Sequence, residues 1–274
     1  MVPDRLPAEL RELIKQFPPG ALQFEIGIQT WNPEVAKNVS RRNDYKKVED
    51  NFTFLADTGV HTHADLIVGL PGETFESFAQ GFDKLAALRP KEIQVGILKR
   101  LKGAPIARHD LAFSMVYADH PPFQILRNRD LTYQQLQKMN RFAKFWDLYA
   151  NSGSFPNFVQ TLKNMSLEHP LKSFFWQFSD FSEFLSERYS QSYGISQLSL
   201  FESAYLYLKD RCAWPKEDVR ELLTQDYVLT GRMDTPSFFK DDSVKSGRPT
   251  GARGHIPKRQ QKHLQQRLPM KIDS

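Results

Sequence analysis

Three carboxylates, Glu25, Asp65 and Glu73, stand in or beside two short apolar runs of this chain. Gathered at one mouth, such groups could accept or hold protons, although Glu73 is equally suited to the first turn of a helix, where its charge meets the positive end of the dipole. Gln29 and Thr30 close the first run, and Gly69 and Gly72 close the second. Amides orient polar ligand atoms without adding charge, and glycine lets a ligand approach the backbone. His61 and His63 alternate and so share one strand face, which is compatible with metal binding. No third ligand stands near them in sequence, so a strand-edge pair is expected and no metal site is assigned to the chain. Cys212 is the one cysteine, beside Trp214-Pro215, and reads as a buried or incidental free thiol.

The elements that must position these groups are strands and helices in alternation. Phe24, Ile26 and Ile28 alternate with Glu25, Gly27 and Gln29, and Ala64 to Leu70 is almost continuously apolar, as buried parallel strands are. Between them Val48, Phe52, Leu55 and Ala56 are at helical spacing, with Gly59 where a left-handed cap falls. Thr74 can cap a helix running to Leu88, Pro90 stops it, and Ile93 to Leu98 supplies a third strand. Three βα units are therefore expected from Gln23 to Arg100, preceded by a helix over Ala8 to Phe17. In such a sheet ligands bind at the carboxyl ends of the strands, which places Gln29, Thr30, Gly69 and Gly72 on the working face. Three strands close no barrel, and the first would expose an apolar edge, so further strands are expected on the amino-terminal side.

The ordered segments Ile26-Gly27-Ile28-Gln29, Ser40-Arg41-Arg42-Asn43, Asp65-Leu66-Ile67-Val68-Gly69-Leu70-Pro71-Gly72-Glu73-Thr74 and Ile93-Gln94-Val95-Gly96-Ile97-Leu98-Lys99 resemble the second half of the radical S-adenosylmethionine (SAM) partial TIM barrel. The chain looks most like the branch with an amino-terminal cobalamin-binding domain and a carboxyl-terminal DUF4080 domain. The resemblance implies an α/β fold: the distal barrel half over residues 1–115, an all-α DUF4080-like domain over 116–240, and a disordered basic tail over 241–274. It implies SAM contacts at Gln29 for the methionine part, at Arg41 and Asp65, and at Ile97 and Leu98 against adenine. A planar cationic fork suits a carboxylate. SAM, a 4Fe-4S cluster and cobalamin are the cofactors the family implies. The Cys-x3-Cys-x2-Cys loop that holds the cluster is missing here, as are the glycine-rich site for the SAM amine and the cobalamin domain. By resemblance, then, this is the carboxyl-terminal portion of an enzyme, inactive alone, whose partner is a fragment carrying the cluster loop.

Composition fits a soluble, cytoplasmic protein: no apolar run reaches a membrane span, no signal-peptide core opens the chain, and one cysteine excludes an intrachain disulfide framework. The positive net charge of +5 belongs to the tail, where nine Lys or Arg face three Asp from Lys240 to Ser274. Few apolar residues and several Gly and Pro predict disorder there. A solvated extension is favoured over an RNA contact. Upstream, Leu131, Leu136, Met139, Phe142, Phe145, Trp146 and Tyr149 are at helical spacing after an extended Pro121-Pro122-Phe123 crossover, and Phe174 to Phe184 and Leu198 to Leu208 continue a helical bundle. Its aromatics, with Phe155, Pro156 and Phe158, serve as packed core or as a lid on the barrel mouth. Three functions stay open: a radical SAM modification such as methyl transfer on an unknown substrate, an inert or interaction module, and weak RNA binding through the tail.

Overall fold

In a computed structural model, residues 1–191, 193–232, 234 and 236–239 are described. The chain divides into two compact units: Met1–Lys144 with Leu171–Trp176, and Phe145–Pro170 with the described residues from Gln177 on. The first unit therefore runs past residue 115. The expected tail over 241–274 lies outside the described residues.

In the first unit, α1 (Ala8–Ile14) leads into β1 (Gln23–Gln29). Then follow α2 (Pro33–Asn38), α3 (Tyr45–Thr58), β2 (His61–Val68), α4 (Phe75–Ala87) and β3 (Glu92–Ile97). The strands form one sheet in the order β1-β2-β3, parallel throughout. The three expected βα units are there, in an α/β fold consistent with part of a TIM-like barrel. Helices α2, α3 and α4 each have a local reason to start where they do. Asn32 accepts from the amides of Glu34 and Val35, Asp44 from that of Lys47 and Thr74 from that of Ser77, which satisfies first-turn donors that would otherwise be left without partners. Helix α3 ends at Gly59, left-handed at φ +71°, where a Cβ would lie 2.8 Å from Pro19 Cβ.

Alternation sorts the sheet's faces. Thr62, Ala64, Leu66 and Val68 are buried on one side of β2, while His61, His63, Asp65 and Ile67 are half-buried on the other. Cross-strand register sets Gly27 opposite Asp65 and Asp65 opposite Gln94; one step earlier it sets Glu25 opposite His63 and His63 opposite Glu92. Beneath the sheet, Phe78, Phe82 and Leu85 of α4 are buried, and Phe82 meets Phe142 edge-on at 5.4 Å and Phe175 at 5.7 Å. Aromatic pairs of this kind add about 0.5–1.5 kcal/mol each beyond area burial.

The second strand starts at His61, in keeping with the alternation of His61 and His63, and Asp65 sits mid-strand. One local expectation is corrected. The Pro121-Pro122-Phe123 stretch read as an extended crossover is the turn between two short antiparallel strands, β4 (Val116–Tyr117) and β5 (Ile125–Arg127). Ile125 donates to Leu98 O at 2.9 Å, tying this pair to the end of β3.

Helix α5 (Tyr133–Trp146) carries the predicted aromatic spacing and ends in a π turn, Asp147–Asn151. The second unit is helical: α6 (Pro156–Met165), α7 (Phe174–Arg188, from Gln177), α8 (Gln197–Leu206) and α9 (Lys216–Leu229). Tyr149, Phe155, Phe158, Phe181 and Phe201 are each at most 1% exposed, so these aromatics are core. The Tyr149 hydroxyl donates to Leu200 O at 2.8 Å. Asp226 of α9 caps α6 by accepting from the backbone amides of Asn157 and Phe158, both at 2.9 Å. No helix among the described residues is long and apolar enough to cross a membrane.

Candidate functional site

The carboxyl ends of the three strands border a cavity of about 580 Å³, lined among others by Gln29, Arg41, Asp65, Gly96, Ile97 and Leu98. All five residues singled out for SAM, Gln29, Arg41, Asp65, Ile97 and Leu98, thus line one space. Apolar walls with a few convergent polar groups are the usual make-up of a small-molecule site. A 3-10 turn, Pro105–His109, borders the cavity through Pro105, Ile106 and Arg108. Arg108 holds the turn to the end of α2, donating to Asn38 O at 2.9 Å and Ser40 Oγ at 2.7 Å.

Gln29 is the most unusual residue of this wall. The pairing of β1 with β2 slips between Gly27 and Gln29, a bulge that ends the strand, and Gln29 takes φ +69°, a left-handed backbone that costs a non-glycine residue about 1–2 kcal/mol. Its side chain folds back over Gly27. A Cβ on Gly27 would lie 2.5 Å from Gln29 Nε2, so this conformation exists only because position 27 is glycine. Gln29 lines the cavity, and its Oε1 is buried with no hydrogen-bond partner among the described residues. Leaving such a group unsatisfied costs about 1–3 kcal/mol.

Arg41 donates through Nη1 to Gly27 O at 2.9 Å, so the guanidinium also braces the strand beneath Gln29. Asp65 faces the cavity one strand across. Burial and the Glu25 carboxylate push its pKa above the ordinary value, opposed by His63 and Arg41. Ile97 ends β3, and Leu98 just beyond it is fixed by its own backbone, donating to Val68 O at 2.9 Å and accepting from Ile125. The loop after β2 is held by Asn128, whose Nδ2 donates to Gly69 O at 3.1 Å, and by Asp130, which accepts from Gly72 N at 3.1 Å.

Thr30, Gly69, Gly72 and Glu73 do not line the cavity. Glu73 is 1% exposed; its Oε1 accepts from Thr30 Oγ1 at 2.7 Å and Ser77 Oγ at 3.2 Å, and its Oε2 has no hydrogen-bond partner among the described residues. Burial pushes its pKa up to about 7. It is a carboxyl that clamps the end of β1 to the start of α4 rather than a cavity wall. His61 and His63 lie at the other end of the sheet, where Glu92, a side chain of ligating type far from them in sequence, comes beside them.

The residues present fit SAM: an unmatched amide acceptor, a bracing arginine, a carboxylate and apolar walls in a space of suitable size. They do not fit a 4Fe-4S cluster, which is held by cysteine thiolates. Cys212, the single cysteine, is half-buried in the second unit, and burial pushes its thiol pKa up, away from the thiolate.

Comparison with known proteins gives three findings. The model of the family described as "Protein of unknown function (DUF4080)" matches residues 112–270, more than half of the chain. The model of the radical SAM superfamily matches residues 2–85. Among solved structures, coproporphyrinogen III oxidase from Escherichia coli, described as a radical SAM enzyme, is similar at 23% identity with a TM-score of 0.39. That likeness covers 53% of this chain and 30% of the enzyme, so the chain spans under a third of its length. No protein of curated function matches.

Proposed function

We propose, from the premise that this chain belongs to the DUF4080 family and carries a radical SAM segment ahead of that domain, that it forms the SAM-binding wall of a radical SAM enzyme. The observation that carries this reading is Gln29. Its costly backbone conformation and its partnerless buried acceptor, in a residue that lines the cavity, support a ligand role. Gln29 and Arg41 would take the methionine end of SAM, Asp65 would accept from a donor on the ligand, and Ile97 and Leu98 would hold the adenine.

When bound together, SAM and a 4Fe-4S cluster supply an organic radical. The cluster thiolates would come from outside these 274 residues, from a separate polypeptide or another part of a longer one. Cobalamin, a methyl transfer or similar radical modification, and inactivity of this chain alone belong to the same proposal. The single cysteine favours a second reading, a SAM-binding or interaction module without chemistry of its own. RNA binding would rest on a tail outside the described residues.

Titration calorimetry of the full chain with S-adenosylhomocysteine tests the wall. Saturable binding, weakened about tenfold or more by Gln29→Ala, is expected. Absence of binding below millimolar ligand overturns the reading. Anaerobic cluster reconstitution with a candidate partner, followed by assay for 5′-deoxyadenosine, then separates enzyme from inert module.

A further inference from the structure

At the amino ends of the same strands, His61, His63 and Glu92 come together with their ligating atoms all within 4.8 Å of one another. His61 Nε2 lies 3.0 Å from Glu92 Oε1, and His63 Nδ1 lies 3.3 Å from Glu92 Oε2. The imidazoles are tilted at 57° with centroids 4.7 Å apart. The Glu92 side chain is 7% exposed and the histidines 18% and 20%. We propose that these three side chains form a site for one divalent transition-metal ion, zinc by donor type, at the floor of the sheet's open face.

The grounds are chemical and geometric. Two imidazoles and one carboxylate are the donor set of open zinc sites, where water or a substrate takes the fourth position. Zinc bonds of about 2.0–2.1 Å in a tetrahedron set donors about 3.3–3.5 Å apart. The two His–Glu contacts, made to different carboxylate oxygens, are 3.0 and 3.3 Å, and side-chain rotation must bring the three donors, now within 4.8 Å of one another, to that spacing. Parallel register fixes the arrangement: His63 is opposite Glu92, and His61 is two residues back on the same face. The ligands stand on strands, not on loops, so the site is formed before the ion arrives.

A second layer is already in place. Gln23 Nε2 lies 3.0 Å from His63 Nε2, the ring nitrogen that does not face Glu92. When His63 ligates through Nδ1, its proton is on Nε2, and the Gln23 amide turned about its axis accepts it. An orienting partner on the second nitrogen is what metal-bound histidines usually have. Glu25, opposite His63, adds negative charge beside the site.

The ion sits below the cavity, not in it. His63 is two residues before Asp65 on one strand face, so the floor and the ligand space share a wall while using different side chains. Its chemistry needs no thiolate and is independent of SAM and of the cluster. The proposal therefore stands whether or not the proposed function does.

Metal-free full chain, without a histidine tag, is titrated with Zn²⁺ against a chromophoric chelator, and with Co²⁺ for its visible spectrum. One equivalent of zinc, bound at micromolar or tighter, and the intense bands of four-coordinate cobalt are expected. Glu92→Gln and His61→Gln should each weaken zinc about 100-fold while keeping the metal-free helical signal. If Glu92→Gln fails to fold, His63→Gln takes its place. Zinc binding only at millimolar level, or tight binding unchanged in these variants, overturns the site.

Discussion

The two ends of one sheet are prepared in opposite ways. At the carboxyl end, Gln29 is strained, its Oε1 is unmatched, and Asp65 is held above its ordinary pKa by burial and Glu25. At the amino end, Glu92 is shared between two histidines at hydrogen-bond distance, and Gln23 contacts the second of them. An organic ligand is rewarded by groups that await it, because its own donors and acceptors complete the set. An ion is rewarded by groups already facing one another, because it takes the place of a proton between them. Polar groups left without partners and polar groups already paired with one another thus mark sites for ligands of different kind.

If the two ends are independent, a change at one leaves the other untouched. Gly27→Val has the largest expected effect, since the new side chain would occupy the space of the Gln29 amide. Affinity for S-adenosylhomocysteine should fall about 100-fold by calorimetry, with the zinc titration unchanged; loss of both would show that the two ends act as one site. Next comes Glu73→Gln. The native state holds this proton up to about pH 7, whereas an unfolded glutamate releases it near 4.5. The stabilisation is therefore present below pH 4.5 and lost as pH rises through 7. The shift corresponds to about 3 kcal/mol. Urea unfolding at a series of pH values should show the wild type weakening over that window and the glutamine variant staying flat and more stable at pH 8.

Two smaller changes sharpen the contrast. Gln29→Gly removes the strain and the unmatched acceptor together, so thermal stability should hold or rise by about 0.5 kcal/mol while ligand affinity drops about tenfold. A stability loss instead would mean that Gln29 is a structural residue. Arg41→Lys gives up the planar fork but keeps the charge. A loss of about 1 kcal/mol in stability, from the Gly27 carbonyl, is expected, with a threefold weaker ligand and no change in zinc.

What was legible in the sequence was local. The βα units announced themselves through alternation in Phe24 to Gln29, helical spacing over Val48 to Ala56, and caps at Thr74 and Gly59. Gln29 and Asp65 were legible from strand position and residue type, and Arg41, Ile97 and Leu98 only through the resemblance, while nothing in a single glutamine shows that its φ will be positive. Partnerships across strands were hidden. Glu92 is 29 residues from His63, and only the register of β2 with β3 makes them neighbours. Helix α6 was hidden for the same reason, because its cap is Asp226, far along the chain. The Pro121-Pro122 stretch misled because prolines read as extended, whereas the residues around them turn the chain back on itself.

Strand β2 alternates a buried row, Thr62, Ala64, Leu66 and Val68, with the open row His61, His63, Asp65 and Ile67. Parity alone assigns each residue to its row. Deleting one residue inside the strand's first half would exchange the rows on that side of the cut, sending two imidazoles among the helices and exposing apolar side chains in their place. A two-residue deletion would keep the rows while moving the histidines along the strand past Glu92. Length changes in this stretch are thus tolerated by count, not by chemistry, and β2 should accept many point substitutions before it accepts one gap.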